Sequence, residues 1–291
     1  MKLVDWFIPA NFKLLASRVK YGVRFMRSKA TIYSHKPSRE SLFVFANGPS
    51  LSKDVKRYHP SIMTSDRMFV NYSALSPLFE EFKPNYYLLL DPLFFTDDSV
   101  VDDVTKEKRR FLIETFRSKV SWVMYIIVPK RALSSMLVKL ARENSCIEVL
   151  WFDDKLERPD INDVDYSGWA SGRVSPPGQT VINTAVYLGI FWRYHKVCLI
   201  GADMTLHKTV SVEQSTNLLY KEDEHFYGKD SLKYVTDPSC NNIGAWLYAV
   251  AKMFIWHRRL REFADTQGVR VINASSFSYV DAYERDGLTS N

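Results

Sequence analysis

Short apolar runs alternate with amphipathic stretches along most of the chain. Leu42–Ala46, Met68–Val70, Tyr86–Leu90, Trp122–Val128, Ile147–Phe152, Val197–Ile200 and Val269–Ile272 are too short for helices, are rich in β-branched or aromatic residues, and read as buried strands. Between them, Lys106–Lys119, Lys130–Asn144, Thr180–Tyr194 and Ile243–Thr266 read as helices. This alternation predicts an α/β fold: a single Rossmann-like, doubly wound and mainly parallel sheet. Gly268, between "RRLREFADTQ" and "VRVIN", supplies a left-handed stop to the last helix. The stripe Tyr248, Phe254, Ile255 and Leu260 on that helix reads as core.

Two segments break the pattern. Met26–Glu40 is polar with little apolar periodicity and reads as a linker, so the catalytic domain is expected to span residues 41–291 behind a leader of residues 1–40. Residues 206–239 are rich in Lys, Glu and Asp and interrupted by "EHFYGKD", as expected of a substrate lid over the carboxyl edge of a sheet. No internal repeat or low-complexity tract occurs.

Charge sharpens the view of the leader. The chain of 291 residues carries a net +6, yet nine of its 39 Lys and Arg lie in residues 1–40 against only Asp5 and Glu40. The positive excess is therefore confined to the leader, whereas a nucleic-acid enzyme would spread basic groups around its cleft. Phe12, Leu15, Val19, Val23 and Met26 recur at steps of three and four, with Lys13, Lys20, Arg24 and Arg27 on another face. That is a basic amphipathic helix, although Gly22 within it costs about 1 kcal/mol relative to alanine. One reading lays it on an anionic membrane with Trp6, Phe7 and Ile8 inserted, making the protein peripheral on the inner face of the cytoplasmic membrane. The other packs it on the domain or on a second subunit, as in a homo-oligomer.

Cysteine usage and hydropathy exclude several classes. Cys146, Cys198 and Cys240 are odd in number and scattered, with no metal-ligand spacing, so neither a disulfide framework nor a zinc site is expected. No run approaches the roughly 18 apolar residues of a membrane span, and no small-residue cleavage site marks a secretory signal. A reducing cytoplasm fits this pattern.

The chemistry concentrates at strand ends, where open parallel sheets bind ligands. The first strand ends in Asn47-Gly48-Pro49-Ser50, the second in Asn71 and the third in Asp91-Pro92. Gly48 permits close approach or a tight turn, and Pro49 suits a first helical position. Backbone amides of Ser50 and Leu51 at a helix start are then expected to face an anion such as a nucleotide phosphate. The same four residues also make an ordinary turn and cap. The loop is neither a Walker loop nor a Gly-x-Gly-x-x-Gly fingerprint.

"FANGPSL", "VN" at 70–71, "YYLLLDPLFF", "GQTVINTAVYLG", "VCLIGAD", "EHFYG" and "NASSFSYVDAYER" together resemble the bacterial sialyltransferases of glycosyltransferase family 42. The same order resembles the wider group related to 6-hydroxymethylpterin diphosphokinase that occurs in surface-polysaccharide loci. The resemblance spans about residues 41–286. It implies a nucleotide-binding α/β domain, a CMP-activated acidic sugar of sialic acid or Kdo type as donor, a glycan or glycolipid acceptor, and inverting transfer with no bound metal or cofactor.

By motif, the resemblance puts Asn47, Asn71 and Asp91 on the donor nucleotide, with Gly48 and Ser50 in the same loop and Gln179 or Thr180 near a nucleotide-contacting serine. Asp91 stands where the family has asparagine; a carboxylate suits a ribose diol but repels phosphate. In the lid, Lys229 stands at the family's general-base histidine. His225, matching the first histidine of that stretch, becomes the candidate base, since its ordinary pKa of about 6.5 suits proton acceptance near neutrality. Lys229 is then available to the departing phosphate, with Tyr227 lining the substrate. The family's leaving-group tyrosines lack counterparts after "GAD", where Thr205, His207 and Tyr220 are the nearest polar residues. Asp203 reads as a cap or a second base. His225 is also readable as a solvated loop residue, and His195 and His257 as structural. A rival enzyme reading is a Mg²⁺-dependent diphosphokinase-like phosphotransferase using Asp91 and Asp203 as metal carboxylates. A non-enzymatic rival is a nucleotide-binding scaffold.

Overall fold

Eight strands, all parallel, form the central sheet in the computed structural model of the protein. It describes residues 30–156, 160–221 and 239–285, together with 224–225, 228–229, 233–235 and 237. The amphipathic leader up to residue 29 lies outside the described residues, as does Tyr227.

In chain order the sheet strands are β1 (Ser41–Phe45), β2 (Asp66–Val70), β3 (Tyr86–Leu88), β4 (Met124–Pro129), β5 (Ile147–Phe152) and β6 (Lys196–Ile200). Three short lid strands β7 (Val210–Val212), β8 (Leu219–Lys221) and β11 (Lys233–Tyr234) and a hairpin of β9 (Glu224–His225) and β10 (Gly228–Lys229) follow. The chain then returns to the sheet in β12 (Arg270–Asn273) and β13 (Glu284–Arg285). The helices are α1 (Leu51–Met63), α2 (Leu78–Phe82), α3 (Asp103–Ser118), α4 (Met136–Ala141), α5 (Tyr166–Ala170), α6 (Val181–Phe191) and α7 (Ile243–Gln267).

Spatial order is β13-β12-β6-β1-β2-β3-β4-β5. The chain winds outward from β1 to β5, then crosses back to lay β6 on the other side of β1, so the order reverses between β1 and β6.

The period-two alternation of strand side chains sorts the core into two layers. Leu42, Val44, Met68, Val70 and Leu88 face α6 and α7, together with Trp169, Tyr187 and Phe263. Phe43, Phe45, Phe69, Tyr87 and Ile126 face α1 to α4, together with Phe79, Leu112 and Phe116. Both faces being covered explains why the strands read as continuous apolar runs. Gly268 ends α7 at φ 66°, as its position predicts.

Several expectations differ from the structure. Residues 30–40, expected as a linker, are packed onto the domain. Ile32 is fully buried, its carbonyl accepts from Trp192 Nε1 (2.8 Å), and the Thr31 hydroxyl accepts the Trp151 amide (2.9 Å). Amides of Ser38 and Arg39 bind the Asp66 carboxylate. Ala30 and Ile32 leave no periodicity to read, which is why this strap looked like a tether. Lys130–Asn144 is not one helix: a 3-10 turn over Lys130–Ser134 stops at Ser135, which is extended and caps α4 through its hydroxyl. On α7, Tyr248 and Ile255 are exposed, and Trp246, Val250, Met253, Trp256 and His257 take the buried positions instead.

The segment 206–239 carries the antiparallel sheet β11-β8-β7, which packs Leu219, Val210 and Val212 on Trp246, Val250 and Met253 at the start of α7. Among the described residues no helix is long and apolar enough to cross a membrane.

Candidate functional site

The strand-order reversal puts the end of β1 beside the end of β6, the place at which open α/β sheets commonly bind ligands. The two loops approach very closely. The Gly48 amide donates to the Gly201 carbonyl at 2.8 Å, and a Cβ on Gly48 would lie 2.6 Å from that oxygen and 2.3 Å from Asp203 Oδ1. Gly48 is not in the left-handed region, so the glycine is required for approach and not for its φ; Gly201, at φ 64°, is the residue that turns left-handed.

That contact redirects the helix start. The Ser50 amide donates to Asp203 Oδ2 (3.1 Å) and the Ser50 hydroxyl reaches Asp203 Oδ1, while the Leu51 amide donates to the Gly48 carbonyl (3.0 Å). Both amides expected to face an external anion are thus used within the protein, and Asp203 brings its own carboxylate to the amino terminus of α1. Of its two readings, Asp203 has the contacts of a cap. Burial pushes its carboxyl above the usual carboxylate range, and the Ser50 hydrogen bonds pull it back.

A second carboxylate, fully buried Asp54, ties the loops together. It accepts from the Gly201 amide (2.9 Å) and the Ser276 amide (2.8 Å), and its Oδ2 lies 3.1 Å from the Ser50 hydroxyl oxygen, joining α1 to the segments after β6 and β12. The Asn-Gly-Pro-Ser turn is therefore tied firmly to its neighbours at the switch point.

Asn47, Asn71 and Asp91 stand one per strand end on the adjacent strands β1, β2 and β3, along a single edge of the sheet. Neighbouring strands lie about 4.8 Å apart, so the row is on the order of 10 Å long. Asn47 is half-buried; its Oδ1 accepts from the Ser73 hydroxyl (2.7 Å) and its Nδ2 points at the Val70 carbonyl (3.4 Å). Asn71 sits at φ 50°, a left-handed conformation that asparagine tolerates better than most residues. Its carbonyl accepts from the Tyr87 hydroxyl, and its side-chain Oδ1 is buried with no partner among the described residues. Asp91 is exposed and caps the turn Pro92–Phe94 through the Leu93 amide (2.9 Å).

Thr180 and Gln179 open α6, which precedes β6 and so begins at the same carboxyl edge. Thr180 is the N-cap, and it forms a reciprocal capping box with Asn183. The backbones of His225 and Lys229 pair in the β9-β10 hairpin of the lid, with His225 opposite Gly228; their side chains, like Tyr227, lie outside the described residues. His207, at the start of the lid, packs edge-on against Tyr279 (4.5 Å between ring centres), whose amide donates to the Asp203 carbonyl (3.0 Å). A separate groove of about 500 Å³ runs between α1 and α2, lined by Val55, His59, Leu75 and Glu81, and does not include the Asn47–Asp91 row.

Sequence reasoning missed Asp54, Ser73 and Ser276. Asp54 carried a signal, an acid on the apolar face of α1 beside Val55 and Tyr58. Ser73 and Ser276 carried none, because a serine in a turn has too many ordinary uses.

Fold and site define an α/β protein with polar residues after the carboxyl ends of three central strands, next to the switch point, and a small antiparallel sheet packed on the start of α7. Over 86% of its length the chain is similar to the MAf glycosyltransferase from Magnetospirillum magneticum AMB-1, with TM-score 0.48 and 12% identity. The match spans about a third (34%) of that protein's chain. No protein-family model matches the chain, and no curated protein matches it.

Proposed function

We propose that the protein is a glycosyltransferase that moves an acidic sugar from a CMP-type donor onto a bacterial surface glycan or glycolipid. The observation that carries this reading is the row of Asn47, Asn71 and Asp91 on adjacent strand ends beside the switch point, matching the order of motifs that resembles the family 42 sialyltransferases. Two amides and a carboxylate suit the hydroxyls of a ribose and the edge of a base. In this scheme Asp91 binds the diol, Asn71 uses its open Oδ1, and Gln179 and Thr180 border the base. Displacement occurs directly at the anomeric carbon: His225 in the lid takes the acceptor proton and Lys229 neutralises the departing phosphate. Asp203, held by Ser50, keeps the loop in shape and takes no proton. A basic leader would hold this site beside a lipid-linked acceptor.

The phosphotransferase reading is the less favoured. Asp91 and Asp203 end strands that are three places apart in the sheet, about 14 Å at ordinary strand spacing, which is too far for one Mg²⁺. Calorimetry against CMP, CDP, UDP, GDP and ATP, with Mg²⁺ or EDTA, tests the proposal. CMP binding indifferent to EDTA supports the transferase, whereas Mg²⁺-dependent ATP binding with no CMP binding overturns it. Given turnover, His225→Ala lowers kcat while leaving donor affinity intact.

A further inference from the structure

Beneath the loop that leaves β3, a cation is buried with part of its hydrogen-bonding capacity unused. Arg109, in the second turn of α3, is 8% exposed. Its Nη2 donates to the Thr96 carbonyl (2.8 Å) and meets Asp98 Oδ1 at 3.1 Å. Its Nε and Nη1 have no partner among the described residues, and neither does the buried hydroxyl of Thr96. Leaving donors of a charged group buried and unpaired costs on the order of 1–3 kcal/mol or more, so the arrangement is explained most simply by a ligand that completes it.

The loop connects this cation to the row of strand ends. The Thr96 amide donates to the Pro92 carbonyl (3.1 Å), directly after Asp91, and Phe94 packs on Tyr72 (4.7 Å between ring centres), directly after Asn71. The Tyr72–Phe94 ring contact thus joins the residue after Asn71, whose Oδ1 is buried and unpartnered, to the loop that covers Arg109. The loop's other acids are committed: Asp97 caps Ser99, Asp102 caps Thr105 and Asp103 pairs with Lys106. Asp98 pairs directly with Arg109, from a side chain 59% exposed, and Asp97 adds a weaker charge attraction. Ion pairs with such exposure contribute roughly 0–1 kcal/mol, so an incoming anion can take its place without stranding a charge.

We propose that Arg109 is an oxyanion subsite of the nucleotide-sugar crevice, in which Asp98 is a resident stand-in that the ligand displaces. This rests on the functional reading above. Once Asp98 leaves, the freed Nη2 proton and an adjacent open N–H form a two-pronged fork that matches paired oxygens on one centre. Two parts of an acidic-sugar nucleotide carry such oxygens, the phosphate and the sugar carboxylate.

Titration calorimetry of CMP, cytidine and free N-acetylneuraminic acid on wild type, Arg109→Gln and Asp98→Asn tests the proposal. If the subsite takes phosphate, Arg109→Gln lowers CMP affinity about tenfold or more and leaves cytidine unchanged; if it takes carboxylate, the loss appears with the free acid. Asp98→Asn, a surface change, tightens the same ligand several-fold, and this arm stands should Arg109→Gln not fold. An unchanged CMP-to-cytidine ratio together with unchanged acid binding in both variants overturns the subsite. If wild type binds no nucleotide, the functional reading fails by itself. Inorganic phosphate then decides the subsite: binding to Asp98→Asn that is lost in Asp98→Asn/Arg109→Gln supports it, and no binding overturns it.

Discussion

Replacing Gly48 with alanine measures how tightly the two central loops are locked. The new methyl group would fall 2.3 Å from Asp203 Oδ1 and 2.6 Å from the Gly201 carbonyl oxygen. The carboxylate can yield only by abandoning the Ser50 amide and hydroxyl, hydrogen bonds to a charged group that contribute about 1.5–3 kcal/mol. The carbonyl cannot yield alone, because it accepts the Gly48 amide itself. Overpacking costs of 1–3 kcal/mol apply to that backbone clash. Since the two terms share the same atoms they do not add fully, and a loss of about 3 kcal/mol is expected. With a urea slope on the order of 3 kcal/mol per molar, the midpoint falls by about 1 M. Gly178→Ala is the control: nothing lies within 4 Å of its added Cβ and its φ is not left-handed, so it should match wild type or gain a few tenths of a kcal/mol. An unfolding curve for Gly48→Ala that superimposes on wild type would refute the close approach.

Three other outcomes are expected. Asn71→Gly removes the open Oδ1 without straining the left-handed backbone, so CMP affinity should fall about tenfold while the melting temperature moves little; equal affinity by calorimetry sinks the donor role. His257 is fully buried and its pKa is lowered to about 3, chiefly by burial, with Asp281 opposing. The unfolded chain therefore binds the extra proton first, so stability is present above pH 6.5 and falls by up to about 1.4 kcal/mol per pH unit below it, towards pH 3. His257→Gln should flatten that part of the acid slope in urea titrations, and an identical slope would be the contrary result. Ile32→Ala should cost about 2–5 kcal/mol if residues 30–40 belong to the domain, whereas a tether would show no change in chemical denaturation.

The sheet was legible because its strands are covered on both faces, so burial forces uninterrupted apolar runs such as Phe43–Phe45 and Ile126–Val128. The position of the polar row was legible too, since it needs only the strand ends and parallel order. What escaped was every feature set by contacts distant in sequence. The hydrogen bond that occupies the Ser50 amide comes from Asp203, 153 residues away, and Asp54 binds Ser276 across 222 residues. No local pattern records such a partner. The strap at residues 30–40 failed for another reason: it is held by Ala30 and Ile32, by the rings of Tyr33 and His35, and by hydrogen bonds to backbone groups, which together leave no hydrophobic period. Arg109 was hidden inside "KEKRRFLIE", where its three basic neighbours are the usual mark of a solvated helix face.

The commitment of the Ser50 and Leu51 amides changes how an anionic ligand can be held. A phosphate cradle built on a helix start works by leaving amides open to the ligand, and here Asp203 and the Gly48 carbonyl have taken them. A carboxylate at that point also repels a second anion. If the proposed donor binds at this edge, its phosphate lies away from α1, towards side-chain cations. On the functional reading proposed above, the candidates are Lys229 and the buried Arg109 under the loop after β3. The amide groups of Asn47 and Asn71 suit neutral hydroxyl and base groups. On that reading a monophosphate-linked sugar is favoured over a polyphosphate laid along the helix start, whose amides are already used.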